Sequence, residues 1–197
     1  MAALPLARGI RAYYINYSDP VQMQTVITHT LLLAERNLSL DINTPVHIPG
    51  VVAQLTLLIR AVPHATFIIN HMGSPPVLTT NMLAWASAMT TLGSLGAGNL
   101  YCKFGGLFQY YKNTGVFPTT TMVEPIISTV IQSFGYEKIL YEGNWFFVNW
   151  YNPPRLDMLS VWTSMLNNIL DTSLKPTVQE RISLFWTTGV TAYRVTV

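Results

Sequence analysis

The stretch TFIINHMGSPP (66–76) carries four apolar or β-branched residues into Asn70 and His71, then stops at Gly73-Ser74-Pro75-Pro76. Such a run reads as a buried strand ended by turn chemistry, with an ionisable side chain at its tip. The pattern recurs along the chain. RGIRAYYI (8–15) and LSLDI (38–42) precede it, and NLYCKF (99–104) and KILYEGN (138–144) follow. Each of these strands carries an ionisable residue near its C-terminal end: Arg11, Asp41, His71, Lys103 and Glu142, spaced 30, 30, 32 and 39 residues apart.

Between the strands lie helical patterns. Ser18-Asp19-Pro20 opens a helix to about residue 36, with Val26 and Leu33 inward. Pro49 opens a second, with Val52, Leu55 and Ile59 inward, ended before Pro63. Met82, Trp85, Met89 and Leu92 recur at helical spacing in a third. Gly105-Gly106 and a polar, aromatic loop lead to a fourth helix beginning at Glu124-Pro125, and further helices cover residues 156–170 and a stretch from Pro176 through QERISLFW. Strands alternating with helices of this length make βαβ units and a parallel sheet, in one domain over residues 1–197. In parallel α/β folds the C-terminal strand ends share one face, where ligands bind, so the five polar groups converge on one mouth. The spacing fits a barrel and an open doubly wound sheet equally. No glycine-rich phosphate fingerprint follows the first strand, which disfavours nucleotide binding.

Composition narrows the function classes. Only 10% of residues are charged, against about 25% in ordinary soluble domains. The formal charge of +2 is scattered, with no basic run interleaved with aromatics, so nucleic acid is not an expected partner. A single cysteine, Cys102, lies in an apolar run, reads as an inert buried thiol, and leaves no internal disulfide. No charged residue occurs between His71 and Lys103, which raises a small membrane protein as an alternative. That stretch is broken by prolines, glycines and asparagines and reads better as an amphipathic helix over a core. The N-terminus lacks an apolar signal segment, so a cytoplasmic location is the default, despite Asn-x-Ser triplets at Asn16 and Asn37.

LSLDINTPVHIPGVVAQL (38–55), VPHATFIINHMGSP (62–75), GNLYCKFGGL (98–107), ILYEGNWF (139–146) and RISLFWTTGVTAYRV (181–195) resemble, in order, the amidohydrolase-related TIM-barrel hydrolases, more narrowly the dicarboxylate lactonase-like branch. The resemblance implies a partial (β/α)8 barrel of about five parallel strands with flanking helices. The family's opening H-x-H motif is absent, since no two of His29, His47, His64 and His71 stand two apart. The missing part corresponds to three βα units, on the order of a hundred residues of a barrel of about 250.

The resemblance also assigns roles. His71 matches a strand-end histidine that polarises a substrate carbonyl or binds a metal. Arg11 suits a substrate carboxylate, and Lys103 lies where the K-x-G-G strand reaches the pocket. Asn144 falls where many members place a water-activating aspartate, and an asparagine cannot take the proton. Glu142, two residues earlier, points to the same side of its strand and is the nearest replacement base. Asp41 either orients a neighbouring ligand or caps the following loop. The other histidines read as surface or satisfied residues.

The expected function is hydrolysis of a lactone, amide or similar carbonyl of a small, anionic molecule, with or without a divalent metal such as zinc. Two alternatives stand beside it: a truncated or non-catalytic relative that only binds, and the membrane protein. Open sheet edges invite a homo-oligomer. Trp145, Phe146, Phe147, Trp150 and Tyr151 either wall the pocket or form core under the loop.

Overall fold

In a computed structural model, residues 6–12, 15–96, 98–144 and 157–196 are described. Five parallel strands form one sheet in the order in which they occur in the chain. They are β1 (Gly9–Ala12), β2 (Ser39–Ile42), β3 (Thr66–Ile69), β4 (Leu100–Phe104) and β5 (Ile139–Tyr141). The register pairs Arg11 with Asp41, Asp41 with Ile68, Ile68 with Tyr101, and Lys103 with Leu140. A doubly wound sheet reverses its strand order at a switch point; this one advances in a single direction, as a barrel does. The spatial order therefore decides what the spacing left open. Among the described residues the sheet does not close, and β1 and β5 are its edges.

Helices α1 (Pro20–Ala34), α2 (Val51–Ala61), α3 (Met82–Gly93), α4 (Phe108–Tyr111), α5 (Thr120–Phe134) and α6 (Met158–Ile169) follow, with α7 (Val178–Ile182) and α8 (Thr188–Tyr193) at the end. The start of α1 follows from its sequence: Asp19 caps it by accepting from the Val21 amide at 2.8 Å, and Pro20 takes the first position, where no donor is needed. The outward side chains of the strands, among them Ile42, Phe67, Ile69, Cys102 and Phe104, are fully buried in the main core under these helices. The inward set makes a separate cluster of Ile68, Tyr101 and Leu140 with Ala192 of α8. The C-terminal segment thus covers the concave face. Below it, Arg194 reaches the Thr66 hydroxyl at 2.9 Å and the Asn37 carbonyl at 3.1 Å, at the N-terminal ends of β3 and β2.

Several boundaries differ from expectation. α5 begins at Thr120, not at Glu124-Pro125, because starting there brings Val123 onto the buried face of Ile127 and Val130. Pro125 is tolerated inside it. In α2 the buried residues are Val51, Leu55, Leu58 and Ile59, and Val52 is only half-buried. Asn70 belongs to a turn (Asn70–Gly73) and not to β3. The loop after Gly106 contains α4. α6 runs on into a wider π turn at Leu170–Leu174, and a second π turn at Ser183–Thr187 separates α7 from α8. The aromatic group from Trp145 to Tyr151 lies outside the described residues. No described helix is long and apolar enough to cross a membrane, which disfavours the membrane alternative.

Candidate active site

The opening stretch ends in an unusual backbone. His71, Met72, Gly73 and Ser74 all have positive φ, at 49°, 54°, 64° and 56°. A left-handed turn costs roughly 1–2 kcal/mol per non-glycine residue, so three of these four positions are strained. It persists because its surroundings hold it. The Ser74 amide donates to the His71 carbonyl and the Val46 amide to the Gly73 carbonyl, each at 3.0 Å. The Tyr110 hydroxyl meets Ser74 Oγ at 2.8 Å, and the indole N–H of Trp85 donates to the Met72 carbonyl at 2.8 Å. Gly73 is required on two counts: its φ is left-handed, and a Cβ there would lie 2.9 Å from Met89 and Val46.

This turn aims His71 across the sheet. Its Nδ1 hydrogen-bonds the Glu142 carboxylate just past β5, and both side chains are largely buried. β4 lies between the strands that carry them, so the pair bridges over the end of β4. That end is Gly105-Gly106. A Cβ at Gly105 would lie 2.1 Å from the Glu142 carbonyl oxygen and 2.6 Å from its Cγ, and one at Gly106 would lie 2.5 Å from His71 Nδ1. Two side-chain-free residues are the gap through which the pair meets. Asn144 sits beside it: its Nδ2 would be 3.1 Å from the same Cβ, and it has no hydrogen-bond partner among the described residues.

A second group lies deeper on the concave face. Lys103 and Asp41 form a buried ion pair, 8% and 6% exposed. The Tyr193 hydroxyl donates to the two carboxylate oxygens of Asp41 at 3.1 and 3.3 Å, and Arg11 stands 4.0 Å from the same group. The Lys103 ammonium also lies 5.4 Å from the Tyr193 ring centre. Burial, then the Asp41 charge, pushes the Tyr193 hydroxyl far above the ordinary phenol range, so it stays protonated and donating. Burial, and next the Glu142 charge, pushes the Cys102 thiol up as well, which keeps it unreactive.

The five strand-end residues therefore separate into two clusters: His71 with Glu142 at the rim, and Asp41 with Lys103 and Arg11 below. Asp41 contacts side chains of β1, β4 and α8. Tyr193 was missed from the sequence, as was the left-handed turn. The glycine pair directly after a strand was a readable sign of close approach. A cavity of about 330 Å3 opens beside Lys103 and Tyr193, walled by Leu140, Tyr141, Phe185 and Trp186; His71 and Glu142 do not line it.

The donors do not make a metal site by themselves. Among the described residues no three of His, Cys, Asp and Glu come together. The ammonium of Lys103 already occupies Asp41, and His71 and Glu142 are turned on each other.

The winding of the sheet is that of part of a barrel, and the chain belongs to the amidohydrolase family, whose model matches residues 31–193. Among curated proteins it is similar to the L-fucono-1,5-lactonase of Burkholderia ambifaria, 26% identical over 148 residues. That match takes in 74% of this chain and 48% of the lactonase, so the chain spans about half the length of the curated relative it matches. Among solved structures it is similar to an amidohydrolase from Burkholderia multivorans, with a TM-score of 0.74 and 14% identity over 96% of this chain and 65% of that one. That protein has also been solved with bound zinc. It is likewise similar to amidohydrolase 2 from Bifidobacterium longum subsp. infantis, with a TM-score of 0.62 and 22% identity, covering 96% of this chain and 62% of that one.

Proposed function

We propose that this chain carries the reactive rim of a hydrolase that opens a lactone, with His71 as general base and Glu142 as the group that orients it. The observation that carries this reading is the His71–Glu142 hydrogen bond in a member of the amidohydrolase family. With Nδ1–H donated to the carboxylate, the neutral imidazole leaves Nε2 as its basic atom. Nε2 takes a proton from water as the oxygen attacks the ring carbonyl. The tetrahedral intermediate then expels the ring oxygen, which takes the proton back from the imidazolium, and the product is a hydroxy acid. Glu142, the base expected from the sequence, instead stabilises the imidazolium formed on the way.

The reacting carbonyl belongs at the rim beside His71; the 330 Å3 cavity next to Lys103 is not lined by His71 or Glu142 and takes no part in this step. The likeness to a lactonase supports a lactone over an amide. The test is ring opening of a lactone panel, including sugar lactones and carboxylated lactones, by the wild type and by His71→Ala and Glu142→Gln. Loss of turnover in both variants, with folding retained, is the expected result. Turnover untouched by His71→Ala removes the mechanism.

A second reading is favoured by one residue. Asn144 stands where the family resemblance places an aspartate, and its amide nitrogen is buried without a partner among the described residues. A protein that binds the lactone and leaves it intact fits that substitution. Calorimetric binding with no ring opening in the same panel would select it.

A further inference from the structure

The reactive pair depends on a turn that the backbone alone disfavours, and one side chain reaches into the middle of that turn. Trp85 is fully buried on α3, and its indole N–H donates to the Met72 carbonyl at 2.8 Å. Met72 follows His71 directly and is itself fully buried, so without the indole its carbonyl is left in the core with no donor shown. The bond is not a general property of buried indoles in this core. Trp162 on α6 is equally buried, tilted against Phe104 and edge-on to Phe108, and its Nε1 has no partner among the described residues.

We infer that Trp85 is a positioning residue for the reactive pair: by holding the Met72 carbonyl it keeps the left-handed turn closed and His71 Nδ1 against Glu142. The inference deepens the reading given under the proposed function, and its activity readout rests on that reading. Its spectroscopic readout rests only on the hydrogen bond. Trp85 bonds to the turn from α3, a helix that carries none of the reactive groups. The same change, Trp→Phe, made at the two indoles separates positioning from packing. Both variants lose ring volume, and only Trp85→Phe loses a bonded N–H.

The experiment is proton NMR of the imidazole Nδ1–H, which resonates far downfield when bonded to a carboxylate, assigned by its loss in His71→Gln. Thermal denaturation of every variant reports folding. The wild type and Trp162→Phe are expected to show the resonance, and Trp85→Phe to lose it while remaining folded. Where lactone turnover is measurable, Trp85→Phe lowers kcat by about 10–100-fold with KM little changed. Trp162→Phe leaves kcat near the wild-type value. Retention of the resonance in Trp85→Phe, or its equal loss in Trp162→Phe, overturns the inference and leaves the proposed hydrolase standing. Absence of the resonance from the wild type overturns the pair itself and the inference with it. A measurement on the unaltered protein covers the case in which Trp85→Phe fails to fold. On warming, the Trp85 indole N–H and His71 imidazole N–H should begin exchanging together, below global unfolding; independent exchange counts against the coupling.

Discussion

His71 and Glu142, 71 residues apart, meet over the end of a strand that lies between them. Their contact needs three independent features of sequence: a turn that throws His71 inward, a carboxylate two residues before Asn144, and an intervening strand that ends in glycine. The first prediction concerns the glycine. Gly106→Ala places a methyl group 2.5 Å from His71 Nδ1 at a φ of +69°, where alanine is strained as well. Overpacking of this kind destabilises by about 1–3 kcal/mol. Urea unfolding should show that loss, and turnover should fall with it, because the imidazole is pushed off Glu142.

Glu142→Gln keeps the shape and removes the charge. The carboxamide can still accept from Nδ1–H but no longer stabilises an imidazolium. General acid–base catalysis is worth about 10²–10⁴-fold, and kcat should fall within that range. KM should change little, since the Glu142 carboxylate is engaged with His71.

The lower cluster makes a stability prediction. Removing one partner of a buried ion pair strands the other charge and costs about 3–5 kcal/mol. Asp41→Leu and Lys103→Met should each show a loss of that size in chemical denaturation. The double variant should recover the part due to the stranded Lys103 charge, while the Tyr193 hydroxyl still loses its acceptor on Asp41. Losses that simply add would mean the two side chains do not interact.

Alkaline pH should loosen the site's loop. Burial pushes the Tyr110 hydroxyl up from 10.0 to about 12, against a smaller lowering by its hydrogen bond to Ser74. A folded-state value above the unfolded one means that the folded form holds its proton more tightly. The stabilisation is therefore complete below pH 10 and is lost as pH rises from about 10 to about 12. Two pH units correspond to about 2–3 kcal/mol. Tyr110→Phe should make the stability curve flatter across that window; an unchanged slope would place the cause elsewhere.

Much of the fold was legible because strand and helix periods are local. A run such as TFII, short, β-branched and bounded by turn residues, reads as a buried strand, and its recurrence gave both the parallel sheet and the five polar tips. What sequence spacing leaves undetermined is which tips touch. Arg11 and Asp41 are register partners, yet Lys103 reaches the same carboxylate from β4, and His71 passes over β4 to Glu142. Side-chain length and barrel curvature decide such pairings, and neither is written in a periodicity. Tyr193 was illegible for a related reason: it contacts Asp41 from 152 residues away, through a helix that packs inside the sheet rather than outside it. The turn at residues 71–74 gave little hint beyond Gly73 and the modest tolerance of His for positive φ, because Met and Ser have no such preference.

The claim on which the rest depends is that the His71–Glu142 pair transfers the proton in lactone opening. The most direct measurement is the initial rate of ring opening, followed by acid release, for wild type and His71→Gln under identical conditions with folding verified for both. The account predicts measurable opening by the wild type and a fall of at least about 10²-fold in the variant. Equal rates in the two proteins would contradict it.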